Sequence, residues 1–200
     1  IIMNIENNPD VSSDKFWNEC YQNNDTGWDL GKPTPIFSDW CNNLSSPKKI
    51  CMPGAGNGYD SLYFSSQGHQ VTAIDFAKKP IDRLKKYSKK NNFNIVAIQK
   101  NIFDLNIEFN NSFDYIVEYT CYCAIHPKMR NKYIDVMHNL LKKGGEFVGV
   151  FFPLDKDLSE GGPPFGVNLD ETIDLFTKKF KLTESRTHPL SIKPRKGNEQ

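Results

Sequence analysis

Three glycines at alternate positions, Gly54, Gly56 and Gly58, with Asp75 seventeen residues after the last of them, form the stretch best suited to hold a small molecule. Glycines lack Cβ atoms, so a ligand can lie directly on their backbone. A carboxylate at the tip of the next strand suits the two hydroxyls of a ribose. Trp17, Tyr21, Trp28 and Tyr119 could supply ring faces, which attract a cation. Around Tyr119 stand the other titratable or cationic candidates, Tyr122, His126 and Arg130. A neutral imidazole at His126 could take a proton near neutral pH, or the residue could simply start a helix. No Ser-His-Asp set and no paired carboxylates announce themselves. The five cysteines are odd in number, and Cys121-Tyr122-Cys123 is spaced too tightly for a zinc knuckle or redox pair. Free, buried thiols and no metal site are the expectation.

These residues need elements to position them. Lys49-Ile50-Cys51-Met52 reads as a buried strand that breaks at Pro53, and an apolar helical pattern begins at Tyr59. Strand, glycine turn and helix in that order make the ligand corner of a doubly wound sheet, although a tight turn without a ligand has the same look. Further strands are expected at 70–74, 95–99, 113–117 and 146–152, with helices at 58–67, 80–90 and from Pro127 to Leu141. That alternation implies a parallel sheet covered on both faces. Beyond it, 155–166 reads as a loop long enough to act as a lid, followed by a helix at 169–178 and two short strands at 180–187 and 190–193. Ahead of the sheet, helices at 13–23 and 35–44 flank a turn-rich segment that nonetheless holds Trp28 and Leu30. Residues 1–12 are polar, Asn-rich and expected to be loose.

Composition narrows the function. Two hundred residues fit one domain with a real core, here 1–200, with about 13–45 as an amino-terminal cap. With 25 basic and 24 acidic side chains the net charge is +1, so there is no basic field for nucleic acid. No apolar run reaches membrane-spanning length and the start is not signal-like, which points to a cytoplasmic protein with no membrane partner.

The corner could take a nicotinamide dinucleotide or S-adenosylmethionine. G-x-G-x-G departs from the G-x-G-x-x-G that approaches a pyrophosphate, and no second phosphate-cradling element is present. A sulfonium cofactor without phosphate, an acid for its ribose and aromatic walls fit better, so S-adenosylmethionine is preferred.

Longer strings then carry a resemblance. Gly27-Trp28-Asp29-Leu30-Gly31-Lys32-Pro33-Thr34-Pro35, Pro53-Gly54-Ala55-Gly56-Asn57-Gly58-Tyr59-Asp60, Ile102-Phe103-Asp104-Leu105, Glu118 through Arg130, Gly161-Gly162-Pro163-Pro164-Phe165 and Arg195-Lys196-Gly197 occur in order over nearly the whole chain. In them the sequence resembles the thiopurine S-methyltransferase superfamily, in particular its halide/thiol methyltransferase branch. The resemblance implies an α/β, Rossmann-like, doubly wound and mainly parallel seven-stranded sheet with an N-terminal helical cap, in a monomer. It implies cofactor contacts from Trp17, Trp28, Gly54, Asp75, Asn101, Ile102 and Tyr119, and S-adenosylhomocysteine as product. Asn101 could hydrogen-bond the adenine edge or merely cap a turn. The implied reaction is methyl transfer to a small thiol, hydrosulfide or halide, with Tyr119, His126 and Arg130 as the groups nearest the chemistry. His126 and Phe165 depart from the branch pattern, where an acid and a tyrosine are common; an apolar Phe165 would suit a small alkyl thiol such as methanethiol. Rival readings are an aromatic-thiol methyltransferase of the thiopurine type, a nucleic-acid or protein methyltransferase, a nicotinamide oxidoreductase, and a protein that binds the cofactor without turning it over.

Overall fold

The structure, a computed structural model, describes residues 9–105 and 107–200. The first residues, including most of the stretch expected to be loose, lie outside it. Helices α1 (Asp14–Asn23) and α2 (Pro35–Asn42) come first. Ser13 starts α1 by accepting the Lys15 amide on its hydroxyl, 3.2 Å away. Pro35 opens α2, where its missing N–H costs nothing. Then the chain alternates: β1 (Lys49–Pro53), α3 (Tyr59–Ser66), β2 (Gln70–Asp75), α4 (Lys78–Lys90), β3 (Ile95–Gln99), β4 (Phe113–Tyr119), α5 (Arg130–Leu140), β5 (Leu141–Val150) and α6 (Leu169–Thr177).

The five strands form one parallel sheet in the order β3-β2-β1-β4-β5. The chain winds outward from β1 to β3, then returns to the other side of β1 to lay down β4. That reversal opens a crevice at the carboxyl ends of β1 and β4, where open α/β sheets bind ligands. Two apolar layers cover the sheet. Ile116, Tyr133, Met137 and Phe176 join α5 and α6 to one face; Phe37, Ile50, Phe64 and Val117 join α2 and α3 to the other. On α4, Ile81 and Leu84 are buried while its lysines face outward, so that charge run is a solvated face.

Two expectations are corrected. The sheet has five strands among the described residues, not seven. The segments expected as strands six and seven, 180–187 and 190–193, form no strand. Phe180 packs into the core, but 181–187 are exposed and Arg186 pairs locally with Glu184, so nothing buries one face of that segment. The backbone beyond β5 finds another partner: Phe151 and Gln200 exchange both N–H···O bonds, at 2.7 and 3.0 Å. The other correction is at the start of β5, which runs from Leu141 through the two glycines. Its pairing jumps from Phe113–Leu141 to Tyr115–Glu146, so Lys142 to Gly145 bulge between them.

Candidate active site

The residues at the carboxyl ends of β1 and β4 enclose a pocket of about 610 Å³, counting space open to solvent. Gly54, Ala55, Gly56 and Asn57 form its floor, and Trp28, Phe37, Tyr59 and Tyr119 its aromatic walls. Gly54 has φ +62, and a Cβ there would meet Cys121 Cβ at 2.8 Å and its Sγ at 2.9 Å. Gly56 has φ +53, and a Cβ on it would lie 3.0 Å from the Tyr21 hydroxyl. Both positions therefore need glycine, for backbone conformation and for space.

Asp75 fixes this turn from below. One carboxylate oxygen accepts the Gly56 amide and the other the Ala77 amide, each at 2.8 Å. It is 9% exposed, and burial raises its carboxyl while those amides oppose the shift. Tyr21, close enough to feel the Asp75 charge, lies over the turn.

Asp75 itself does not line the pocket; two other carboxylates do. Asp60 accepts the Thr34 amide at 2.6 Å and the Thr34 hydroxyl at 2.8 Å, which ties the loop ahead of α2 to the start of α3. Burial pushes its carboxyl up to about 6, against the pull of those two bonds. Asp29 accepts the Gly31 amide at 2.7 Å and the Asn57 side-chain amide. The amino end of α3 has no side-chain cap, only Gly58. Acids and ring faces around uncapped helix amides fit a ligand with a cation on one arm and a carboxylate on the other. They fit S-adenosylmethionine; a pyrophosphate would meet two carboxylates.

The chain matches the thiopurine S-methyltransferase family over residues 12–199. It is 33% identical over 187 residues to the probable thiol methyltransferase 2 of Arabidopsis thaliana, spanning 92% of this chain and 81% of that protein. To the thiocyanate methyltransferase 1 of Brassica oleracea it is 28% identical over 195 residues, or 96% and 85% of the two chains. The chain belongs to the thiopurine S-methyltransferase family. It is an S-adenosylmethionine-dependent methyltransferase. Its class I fold is shared with the 1,6-didemethyltoxoflavin-N1-methyltransferase of Burkholderia thailandensis, solved with bound 1,6-didemethyltoxoflavin and S-adenosylhomocysteine. The two agree with a TM-score of 0.78 at 20% identity, covering 100% of this chain and 89% of that one.

Of the positions carried over from the family, Trp28, Gly54 and Tyr119 share one pocket. Trp17 stands one ring behind, edge-on to Trp28 with centroids 5.8 Å apart, its indole N–H donating to Val11 O at 2.9 Å. Asn101 uses its side-chain oxygen on the Phe103 amide at 3.0 Å, capping the 3-10 turn Ile102–Asp104, and Ile102 is buried in the core. Arg130 is 6% exposed, donates to Gly166 O at 2.9 Å and lies 4.5 Å from the Tyr122 ring centroid. His126 is exposed; its Nδ1 accepts the Lys128 amide at 3.3 Å and its ring meets Phe165 edge-on. Neither Arg130 nor His126 lines the pocket.

Four acids are not marked out by the sequence. Asp29, Asp60 and Glu118 lie inside quoted strings but carry no spacing that distinguishes them. Glu118, 1% exposed, accepts the Cys121 and Tyr122 amides at 3.1 and 2.9 Å and holds the turn after β4. Glu199 receives the Tyr119 hydroxyl from eighty positions away, which no local pattern could reveal.

Proposed function

We propose that this protein methylates a small, soft sulfur nucleophile, methanethiol or hydrosulfide, and accepts halides as secondary substrates. The observation that supports it most is the pocket itself: aromatic walls from Trp28, Phe37 and Tyr119 around an exposed glycine turn. The bound cofactor supplies a methyl group already activated on a sulfonium. The chain's own work is then to place the acceptor, exclude water and take up a proton where the acceptor is a thiol.

In this reading, residues 13–45 cap a single domain, and Gly54, Asp75, Trp28 and Tyr119 hold the cofactor. Trp17 backs Trp28, while Asn101 and Ile102 border the adenine. Phe37, 1% exposed and edge-on to Tyr119 with centroids 6.2 Å apart, narrows the acceptor side. Phe165, 3% exposed with its amide donating to Cys123 O at 2.7 Å, bears on the acceptor through packing. A net charge of +1 gives no basic field for nucleic acid, in keeping with a small-molecule acceptor, and in this reading the protein works as a monomer.

Headspace gas chromatography of the purified protein with cofactor and a panel of methanethiol, hydrosulfide, iodide and a thiopurine tests the reading. Dimethyl sulfide or methanethiol is expected as the dominant volatile. A clear preference for the bulky heteroaromatic thiol overturns it, and cofactor binding without S-adenosylhomocysteine production would leave a binding protein.

A further inference from the structure

Tyr119 lines the pocket, and its hydroxyl donates to the carboxylate of Glu199. Glu199 is 3% exposed, and its other oxygen accepts the Ser191 hydroxyl at 2.6 Å. Arg195 is buried beside them, its guanidinium 4.8 Å from the Tyr119 ring centroid and 4.6 Å from that of Phe152. One guanidinium nitrogen donates to Trp28 O at 3.2 Å, which joins this cluster to the cap loop. The segment is pinned by the Phe151–Gln200 backbone exchange and by Asn198, whose side chain accepts the Leu154 and Asp155 amides at 2.7 and 2.8 Å.

Burying a carboxylate against a pocket-wall phenol is costly, and apolar packing would hold this segment at least as well. The arrangement suits a proton path out of the pocket. We propose that Tyr119 and Glu199 form a proton relay for thiol acceptors, the proton leaving sulfur for the Tyr119 oxygen as the Tyr119 proton moves to Glu199. This rests on the thiol-acceptor reading. The step balances: the S–H electron pair stays on the acceptor sulfur and a new S–CH3 bond forms. The methyl–sulfonium bond breaks with its pair going to the departing thioether, and Glu199 ends protonated until solvent resets it. Tyr119 is then the catalytic residue and Glu199 acts through it.

The charged groups that bear on Tyr119 are Glu199 and Arg195, and Arg195 also acts on Cys123 behind it. Burial first, then the bond to Glu199, holds the phenol well above its usual range while Arg195 opposes them. Tyr119 therefore keeps its proton at neutral pH and needs a partner to pass it to, which a phenolate base would not.

The test compares Glu199→Gln and Tyr119→Phe with the unaltered protein, using methanethiol and iodide in parallel across pH. Iodide brings no proton. The thiol-to-iodide ratio of kcat/KM is expected to fall by about 10²-fold in either variant, at the low end for a positioned acid–base group. Below the thiol's own pKa, log kcat/KM for the thiol should climb by about one per pH unit in the variants, because solvent must then supply the thiolate, and stay flatter in the unaltered protein. A melting shift with S-adenosylhomocysteine reports folding and cofactor binding; if Glu199→Gln fails it, Tyr119→Phe, which keeps the ring, carries the test. An unchanged ratio, or the same slope in all three proteins, overturns the relay. An unaltered protein that methylates neither acceptor overturns the acceptor reading beneath it.

Discussion

Glu118 is buried with only one carboxylate oxygen satisfied: Oε2 takes two backbone amides, and Oε1 has no hydrogen-bond partner. Burial pushes its carboxyl from 4.5 up to about 7, against the pull of the two amides and of Arg130. Between those values the folded protein holds a proton that the unfolded chain has released. Its contribution to stability is complete below pH 4.5 and is lost as pH rises toward 7. Glu118→Gln keeps an oxygen for the amides and removes the titration. The unaltered protein should lose up to roughly 3 kcal/mol across this window that the variant retains, read by urea unfolding at a series of pH values. Asp60, pushed up to about 6, acts in the same direction, but it is present in both proteins and cancels in the difference.

At the scale of elements, the loop after β5 depends on a few contacts. Phe165 is 3% exposed, its amide donates to Cys123 O, and its ring fills the space that a Cβ on Gly162 would enter at 2.6 Å. Arg130, at the start of α5, holds the next residue through Gly166 O. The loop is thus a fastened flap with one aromatic pin. Phe165→Ala should cost about 3–5 kcal/mol in urea unfolding, while Phe165→Tyr should raise the cost of burying a hydroxyl without improving cofactor binding. Near-wild-type stability of the alanine variant would mean that the loop closes without its pin. At this same scale, the strands expected at 180–187 and 190–193 do not form: 181–187 are exposed, so the segment gains no buried face that would hold it against a sheet.

For the molecule as a whole, the pocket and the residues that back it come from segments far apart in sequence. Trp28 and Asp29 come from the loop between α1 and α2, Gly54 to Asn57 from the turn after β1, Tyr119 from β4, and Arg195 and Glu199 from the last segment described. A ligand seated there ties them together, so binding should stabilise the entire fold. S-adenosylhomocysteine at a hundred times its dissociation constant should add about 2.7 kcal/mol. For a chain of this size that raises Tm by roughly 5–11 °C, and NAD should leave Tm unchanged. An equal shift with NAD would contradict the reading of the two pocket carboxylates.

The sequence by itself determined what short-range chemistry encodes. The glycine turn, the alternation of strands and helices, and the outward lysines of α4 are properties of neighbouring residues, so their periods survive in one dimension. Gly54, Trp28 and Tyr119 stand out in the sequence because their types are unusual for the local pattern, and the structure brings the three to one pocket. Only the tertiary structure decided which of the named residues meet. It places His126 and Arg130 in a turn and a loop clamp, and sets Asp75 beneath the glycines as their fastening. It also brings Glu199 across eighty residues to the Tyr119 hydroxyl. Contacts of that kind depend on how the layers pack in three dimensions, and no period along the chain records it.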